Sequence, residues 1–505
     1  MSSLPYDDNK LRYAGDFRIS EVALFNAYGN VAGIGSAVVE ISIFEDLNSN
    51  FLTGNLTFID TEDLINKLPI IGQEFLEFKI RTPLYSKYDE GEYDFTNTRM
   101  AVYKVTRQRL NQNTQSITLD FISTEGIRDQ NVKISRAFNG PYDDAVAKIF
   151  KKSWGLNSKK KLYIQPTQNN FKFVAPNMRP SDLMNMMASR AVSYTSTGKG
   201  GQVSYLFYEN GQGFHFRSMD SFFFLVKSDG LASHPEMFEY FCDSESTRAF
   251  ANPQENPMSQ LRVVKSHTLV GTNDLIKNQR MGTFASKLIT HDAYNKTYNE
   301  YKYNYIDEYN GISHLEKDEA LGDNSSALYR GLIVKAHYDF NDLETSNRTR
   351  GSAYKYLSDY ADARIMVQSN TAKIHNINSD HGFRVNEYLQ RRKSALNLFK
   401  AIEIELEVNG NTHLNIGHII RINVPRTGPG KDDTKTSQND KYLTGRWLIT
   451  AIRHSFDCAT KVHNMILTCS KETYGTNLQE KVSPLVLDVT DEGNPINLYN
   501  NTEYN

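Results

Sequence analysis

Hydrophobic and polar residues alternate along three segments in the first part of the chain. The segments read VVEISIF, EFLEFKIR and SITLDF. Their apolar positions share one face: Val39, Ile41, Ile43, Leu76, Phe78, Ile80, Ile117, Leu119 and Phe121. A period of two, with one apolar and one polar face, is typical of antiparallel strands that cover a core. We therefore predict a strand-rich unit over residues 14–136.

Helical patterns interrupt these strands and dominate the region that follows them. DTEDLINKLP, which starts at Asp60, predicts a short helix that stops at Pro69. PYDDAVAKIFKKSWG and RPSDLMNMMASRA predict two further helices, and the Asn210-Gly211 pair predicts the turn of a β-hairpin. Residues 137–255 therefore read as a small α+β domain.

Strand patterns return after this domain and continue, with one interruption, to about Ser470. Residues 256–310 alternate again, whereas residues 311–382 are polar and lack a clear period. HGFRVNEYLQRRKSALNLFK then predicts an amphipathic helix, and clean strands resume at Ala401. The polar, Asn-rich end has the composition of a segment that is flexible or held by a partner.

Two of the strand-rich blocks resemble each other in order and spacing. The first contains EFLEFKIRTP, a polar loop at 84–99, MAVYKVTRQ and SITLDFIS; the second contains HIIRINVP, a polar loop at 426–441, WLITAIRHS and HNMILTCS. An alternating strand precedes each block, VVEISIF in one and AIEIELEV in the other. Chance likeness between meanders is one explanation. The other is two copies of a barrel-like domain, so that three chains present six similar units.

Composition narrows the classes of function. The 505 residues carry 57 Lys and Arg against 59 Asp and Glu, a formal charge of −2. This balance gives no support to a dedicated nucleic-acid binder, which shows a basic domain or stripe. Cys242, Cys458 and Cys469 lack metal-ligand spacing and indicate folding in a reducing compartment. No apolar run approaches the ~20 residues of a bilayer span, and no signal peptide is apparent, so we expect a chain made in the cytoplasm without membrane insertion.

Several segments, taken in order, resemble a known family. GNLTFIDTEDLINKLPIIGQEFLEFKI, TLDFISTEGI and VKISRAFNG are similar to the first tube-like domain of baseplate hub proteins from contractile-tailed bacteriophages. FKFVAPNMRPSDLMNMMASRA and YLFYENGQGFHFRSMDSF resemble the next domain of such hubs. LEVNGNTHLNIGHIIRINVP and YLTGRWLITAIRHSF resemble their second tube-like domain. The hub module of type VI secretion spike proteins shares this plan, and the resemblance covers roughly residues 16–475.

The resemblance implies a structural protein of the virion and not an enzyme. Its implied form is a homotrimeric ring that adapts the hexameric tail tube protein to the trimeric central spike protein. Baseplate wedge or other hub-associated proteins are further implied partners. DNA would pass through the channel without sequence-specific binding, and no cofactor is implied. The ring would be part of the phage tail baseplate, assembled in the host cytoplasm. A separate spike protein is expected, because neither a further barrel nor a β-helix repeat follows residue 475.

The predicted fold class is α+β and mainly β, with two tube-like antiparallel β-barrel domains and smaller α+β domains that assemble as a pseudo-six-fold trimer. The predicted regions are a first barrel at 14–136, an α+β domain at 137–255, a discontinuous second barrel at 256–310 with 395–475, an inserted polar region ending in a helix at 311–394, and a C-terminal tail at 476–505.

Three glutamates are the candidate lining of a channel. Glu403, Glu405 and Glu407 share one face of the strand AIEIELEV, opposite its apolar residues. An acidic wall repels phosphate and would let DNA slide without sticking. An ordinary solvated strand face is the alternative, and the mixed charges of Glu77, Lys79 and Arg81 on the corresponding strand of the first block weaken a purely acidic lining.

A tyrosine-rich segment is the candidate interface. HDAYNKTYNEYKYNYIDEY contains Tyr294, Tyr298, Tyr301, Tyr303 and Tyr305. Tyrosine is favoured at interfaces because it joins a large apolar body to a polar tip, although a hairpin with aromatic cross-strand pairs has the same composition. We also expect the loops 84–99 and 426–441 to contact a neighbouring ring or subunit, with plain disorder as the alternative.

Catalytic chemistry has little support in the sequence. None of the common zinc-protease, serine-hydrolase or phosphate-loop motifs occurs, and GKDDTK at 430–435 lies in a polar loop. His454 is interpreted as structural. Two alternatives remain open: a tail-associated glycan or peptidoglycan hydrolase, which needs two carboxylates in a cleft, or a receptor-binding tail protein.

Overall fold

The computed structural model describes residues 11–83, 91–168, 170–193, 203–225, 239–242, 257–271, 274–292, 296–308, 315, 335–336, 355–356, 360–369, 385–426, 439–440 and 443–472. Strands predominate among these residues, and most of them pair in antiparallel fashion. The protein is therefore α+β and mainly β, as the alternating pattern predicts.

The strands vary in length and follow one another closely along the chain. They are β1 (Arg18–Phe25), β2 (Val31–Gly33), β3 (Val38–Asp46), β4 (Thr53–Asp60), β5 (Phe75–Arg81), β6 (Glu92–Asp94), β7 (Met100–Arg109), β8 (Gln115–Ser123), β9 (Ala137–Pro141), β10 (Leu162–Ile164), β11 (Asn170–Val174), β12 (Tyr205–Asn210), β13 (Gly213–Ser218), β14 (Glu239–Phe241), β15 (Val264–Gly271), β16 (Ala285–Asp292), β17 (Thr297–Asn304), β18 (Lys335–Ala336), β19 (Lys355–Tyr356), β20 (Ile365–Ser369), β21 (Ile402–Asn409), β22 (Ile419–Asn423), β23 (Gly445–Asp457) and β24 (Val462–Lys471).

The helices are short, apart from the one that precedes β21. They are α1 (Leu64–Lys67), α2 (Thr124–Asn131), α3 (Tyr142–Lys151), α4 (Pro180–Arg190), α5 (Asp220–Leu225), α6 (Pro257–Leu261), α7 (Leu275–Met281), α8 (Tyr305–Glu308) and α9 (Val385–Phe399), with a 3-10 turn at Ala361–Ala363. The four helices expected from the sequence are present. The first is reduced to one turn, at which Asp60 accepts hydrogen bonds from the backbone N–H of Leu64.

One large sheet organises the molecule. Its path through the described residues runs β15-β21-β24-β23-β3-β4-β8-β7-β5-β1-β2, with β22 beside β23, β14 beside β22, and β6 beside β5. Smaller sheets are formed by β10-β13-β12, by β11-β9 and by β17-β16-β20. Separate clusters of buried hydrophobic side chains lie under the early strands, under the late strands and in the α+β region between them. The predicted domain boundaries stay a prediction.

The large sheet contains the same five-strand arrangement twice. We call β3, β4, β8, β7 and β5 the first repeat, and β15, β21, β24, β23 and β22 the second repeat. In each repeat the strands lie side by side in the order just given, and every neighbouring pair is antiparallel. Two unrelated meanders need not agree in both the order and the direction of five strands. The register of the strands shows the same agreement residue by residue.

Corresponding pairs in the two repeats carry corresponding residues. Leu56 lies opposite Leu119 between β4 and β8, and Leu406 lies opposite Leu467 between β21 and β24. All four leucines are fully buried. The fourth and fifth strands of the two repeats are tied alike, because the N–H of Val102 donates to the Glu74 carbonyl at 2.8 Å and that of Ile449 to the His418 carbonyl at 2.9 Å.

Two β-bulges recur at corresponding places. The fourth strand of each repeat, in the order given above, carries an extra residue: Tyr103 in β7 and Thr450 in β23. A second bulge falls at Val39 in β3 and at Lys265 in β15. Bulges reshape the twist of a sheet locally and are retained as features of a fold. Their repetition supports an internal duplication.

The structure also corrects two details of the sequence interpretation. The counterpart of AIEIELEV in the first repeat is β4, because β4 and β21 occupy the same place beside β8 and β24. VVEISIF corresponds to β15 instead. Within VVEISIF, Val38 and not Val39 is buried with Ile41 and Ile43, since the bulge at Val39 shifts the alternation by one residue.

The repeats have diverged by exchanging large and small residues across one buried pair. Gly54 lies opposite Phe121 in the first repeat, and Ile404 lies opposite Cys469 at the same place in the second. A Cβ atom on Gly54 would lie 2.4 Å from the Phe121 ring and 2.4 Å from the Ser42 carbonyl oxygen. The phenylalanine therefore occupies the space that the isoleucine side chain fills in the other repeat, which keeps core volume roughly constant.

Candidate functional site

The two repeats are joined edge to edge in the same sheet. The second half of β23 pairs with β3, so that His454 lies opposite Ile43 and Ser455 opposite Ser42. The cores interlock across this joint: Phe456 of β23 packs in the hydrophobic cluster of the first repeat, and Leu47, just after β3, packs in that of the second. The sheet therefore continues without a break from one repeat to the other, and each repeat completes part of the other's hydrophobic core.

A chain of four buried polar side chains crosses the joint. The Tyr93 hydroxyl donates to Glu45 Oε1 at 2.8 Å and lies 2.9 Å from His454 Nε2. His454 Nδ1 in turn lies 3.0 Å from His463 Nε2. With Tyr93 donating to Glu45, the consistent arrangement has His454 Nε2–H donating to Tyr93 and His463 Nε2–H donating to His454 Nδ1.

Glu45 also ties the joint to two other parts of the chain. Its Oε1 accepts a hydrogen bond from the backbone N–H of Gly211 at 2.7 Å, in the predicted hairpin turn of the α+β region. Its Oε2 accepts from the N–H of Ile416 at 3.3 Å, in the loop between β21 and β22. One carboxyl group therefore fixes both repeats and the α+β hairpin at a single point.

Burial sets the protonation of this cluster. It raises the pKa of Glu45 from 4.5 to about 7, against the hydrogen bonds from Tyr93, Ile416 and Gly211 that lower it. Burial also lowers the pKa of His454 to about 3 and that of His463 well below 6.5. Near neutral pH the two imidazoles are uncharged, and Glu45 is close to its midpoint. The arrangement suits a structural joint.

A second set of bonds reinforces the joint a few residues away. The N–H of Thr82 donates to Thr412 Oγ1 at 2.8 Å, and the N–H of Thr412 donates to Thr82 Oγ1 at 3.1 Å. Thr412 Oγ1 donates in turn to the Gly91 carbonyl at 2.5 Å. A Cβ atom on Gly91 would lie 2.3 Å from His413 Nδ1, so the loop of the second repeat fits closely against the first.

A buried ion cluster attaches the α+β region to the first repeat. Lys160 Nζ lies 2.6 Å from Glu209 Oε1 and 3.0 Å from Glu125 Oε2. Burial by itself lowers the pKa of Lys160, but the two carboxylates outweigh it and raise that pKa. Burial also raises the pKa of Glu209, and for a carboxyl group this shift favours the neutral form. We take the pair as ionised because Glu209 also accepts hydrogen bonds from Ser123 and the Leu52 N–H.

The three candidate channel glutamates lie where the alternation predicts. Glu405 and Glu407 are exposed and Glu403 is half-buried, on the face of β21 opposite Ile402, Ile404, Leu406 and Val408. The corresponding positions of β4 are the uncharged Thr53, Asn55 and Thr57. Lys79, which weakened an acidic face in the first repeat, is paired with Glu92 at 2.8 Å and Asp94 at 3.5 Å. Whether these glutamates line a channel stays a prediction.

The tyrosine-rich segment divides into two groups. Tyr303 and Tyr305 are buried in the core of the second repeat, where the Tyr303 hydroxyl donates to Ser394 of α9 at 3.1 Å. Tyr298 is 59% exposed, Tyr301 is half-buried, and Tyr294 lies outside the described residues. The rings of Tyr303 and Tyr305 therefore serve the chain's own packing, and contact with a partner stays a prediction for Tyr298 and Tyr301.

Several other expectations fall partly or wholly outside the described residues. Of the loop 84–99, residues 91–99 are described; of 426–441, residues 426, 439 and 440 are. GKDDTK at 430–435, the tail at 476–505 and most of 311–384 are not described. In the part of the chain that is, no group of His, Cys, Asp and Glu side chains is arranged to hold a metal ion. No helix there is long and apolar enough to cross a bilayer.

The joint was missed as a site, although the sequence contains its signal. Glu45 falls in phase with Ile41 and Ile43, so the alternation puts a carboxyl group on the buried face. His454 is likewise in phase with Ile452 and Phe456, and its structural interpretation agrees with its hydrogen bonds. A polar residue in the apolar phase of a strand indicates a buried partner elsewhere.

Comparison with solved structures finds similar chains among tail and secretion proteins. The tail protein of Neisseria meningitidis MC58 matches with 8% identity and a TM-score of 0.46, over 91% of this chain and 98% of that one. The 43 kDa tail protein of prophage MuSo2 from Shewanella oneidensis matches with 11% identity and a TM-score of 0.44, over 90% and 98%. An Escherichia coli component of the type VI secretion system matches with 6% identity and a TM-score of 0.37, over 93% and 80%.

These are the groups that the sequence resembles. No family model and no curated protein matches the chain.

Proposed function

We propose that this protein is the structural hub of a contractile phage tail baseplate. In this proposal three copies form a ring that adapts the six-fold tail tube to the three-fold central spike, and the ring encloses part of the channel for DNA ejection. The observation that carries the proposal is the joint between β23 and β3, by which two copies of one sheet unit are added to each other within a single chain. The protein would act in the virion after assembly in the host cytoplasm.

The joint supports the proposed ring because it is a heterologous contact, in which two different edges of the same sheet unit meet. One edge of the second repeat meets a different edge of the first repeat, and contacts of this kind continue until a ring closes or a filament grows. Two units per chain make six units in a closed trimer. Such a ring offers six similar positions to a hexameric tube on one side, while the parts of the chain that occur once offer three positions to a spike on the other.

The buried cluster supports the same proposal through rigidity. Glu45, Tyr93 and His454 come from both repeats, and Glu45 is also bonded to the α+β hairpin at Gly211. A buried polar network in which Glu45, Tyr93 and His454 are all bonded favours one arrangement of the units it joins. A wall element that transmits the force of a contracting tail needs its two units at a fixed angle.

The decisive experiment measures oligomeric state and symmetry together. Light scattering of the purified full chain, alone and with its tail tube and spike proteins, should give a mass of three chains. Class averages of the particles viewed down the axis should show six similar wall units and three-fold outer features. A chain that remains a monomer in both conditions, or a ring of another order, would contradict the hub assignment.

A further inference from the structure

Two strand edges of the large sheet have no partner among the described residues. In β7, the half from Tyr103 to Arg109 pairs with β8 on one side only. β15 pairs only with β21. Apolar side chains are exposed at both edges: Tyr103 is 51% exposed, Leu269 42% and Val270 57%. Unpaired strand edges of this length are templates for pairing with another chain.

These edges are the counterparts of the two that are already joined inside the chain. The bulges align β7 with β23, since Tyr103 and Thr450 are the extra residues of those strands. They also align β15 with β3, through Lys265 and Val39. Within the chain, the second half of β23 pairs with β3. The unpaired edge of β7 therefore corresponds to the β23 side of the internal joint, and the unpaired edge of β15 corresponds to its β3 side.

We propose that β7 of one protomer pairs antiparallel with β15 of the next protomer, in the register of the internal joint. Because Ser455 lies opposite Ser42 inside the chain, the same register sets Gln108 opposite Thr268 of the neighbouring copy. Arg107 then lies opposite Leu269. The second copy of this chain is the occupant because its β15 edge shares with β3 the bulge at Lys265 and the antiparallel pairing with the corresponding neighbour strand; a further bulge of β15, at Val270, lies beyond Thr268 and Leu269. This inference rests on the proposed ring and specifies its contact between subunits.

The unpaired edge of β7 carries charged side chains where the internal joint carries buried ones, as expected for an edge that is exposed to solvent until two chains associate. Where β23 has the buried residues His454 and Phe456, β7 has the exposed Arg107 and Arg109. Charged residues keep an edge strand soluble before it finds its partner. Both arginines donate to carbonyls of their own chain, Arg107 to Ile70 at 2.7 Å and Arg109 to Asn111 at 3.1 Å. They are thus held by neighbouring loops.

Cysteine cross-linking tests the register directly. Opposed residues of an antiparallel pair have Cβ atoms about 4.5–5.5 Å apart, which approaches the spacing of a disulfide. The full-length double variant Gln108→Cys with Thr268→Cys should give linked dimers and trimers on mild oxidation, resolved on a non-reducing denaturing gel. The matched control pairs Gln108→Cys with Leu269→Cys, one residue away on the opposite face of β15, and should link at least tenfold less. Each single-cysteine variant accounts for the three native thiols.

The outcomes separate this inference from the proposed function. A trimeric mass with selective linking of the 108–268 pair supports both. A trimeric mass without linking overturns the strand pairing and leaves the ring standing. Equal linking of the control pair overturns the register. A monomeric mass without linking, in the presence of tube and spike proteins, overturns the ring and the pairing together.

Discussion

The hydroxyl of Tyr93 and Nε2 of His454 lie 2.9 Å apart, although the two residues are separated by 361 positions in the sequence. Tyr93 comes from β6 beside the first repeat, and His454 comes from β23 of the second. Their contact, continued to Glu45 and His463, is the polar centre of the joint between the repeats. Both residues are fully buried, so water cannot replace a lost partner.

Replacing Tyr93 by phenylalanine should weaken the joint. The ring keeps its packing, but Glu45 and His454 each lose a buried hydrogen-bond partner, and an unsatisfied buried group costs about 1–3 kcal/mol. Chemical denaturation should show this loss in the free energy of unfolding. Tyr13→Phe is the matched control, because it removes a hydroxyl that donates to the Lys461 carbonyl at the surface. Equal losses in the two variants would contradict a special role of the joint.

Glu45→Gln should change the pH dependence of stability. The folded-state pKa of Glu45 is about 7 against 4.5 when unfolded. Between these values the folded protein keeps a proton that the unfolded chain has released, so stability falls as pH rises through this window and levels off above it. The wild type should therefore lose about 3 kcal/mol relative to the glutamine variant between pH 4.5 and 7.

Thermal unfolding of both proteins across that range measures the difference. The buried side chains of His454 and His463 act in the opposite sense, because their folded pKa values are lowered and stability is lost as pH falls below about 6.5. They are present in both proteins and largely cancel in the comparison. A constant difference between wild type and variant at every pH would show that Glu45 titrates normally.

Gly54→Ala should be strongly destabilising. The new methyl group would lie 2.4 Å from both the Phe121 ring and the Ser42 carbonyl oxygen, and the latter belongs to a paired strand that cannot withdraw. Overpacking of a core typically costs about 1–3 kcal/mol, and this position should lie at the upper end. Gly33→Ala is the control, since no atom lies within 4 Å of its Cβ position. Similar melting temperatures for the two variants would contradict the exchange of volume between Gly54 and Phe121.

The sequence predicted the elements and the duplication well, because both depend on local alternation. The strands β5, β8 and β21 have their apolar faces in the expected place. The equal spacing from Met100 to Ser123 and from Trp447 to Ser470 is off by one residue, because Ser470 pairs with Leu448 as Ile122 pairs with Ala101. The exception to the alternation is Val39, whose bulge depends on pairing with β4. A bulge is a property of two strands together and leaves no mark in one of them.

The joint could not be predicted in the same way, because its members are distant in sequence. Glu45 is 48 positions from Tyr93 and 166 from Gly211. The alternation shows that Glu45 and His454 are buried, but it does not show that they share a partner. The pairing of β3 with β23 likewise joins strands from opposite ends of the chain.

Reversing the charge of Glu405 and Glu407 tests the proposed channel lining. Both side chains are exposed on β21, so the double change to lysine should alter stability by less than about 0.5 kcal/mol. If they face the bore, the wild-type ring should not retain double-stranded DNA, and the variant ring should bind it with an affinity that falls steeply with salt. Gel-shift titration over a salt series measures this. The control, Glu62→Lys with Asp144→Lys, makes the same change in net charge at two exposed positions, one just before α1 and one in α3. Equal DNA binding by the two variants would show that β21 faces away from the channel.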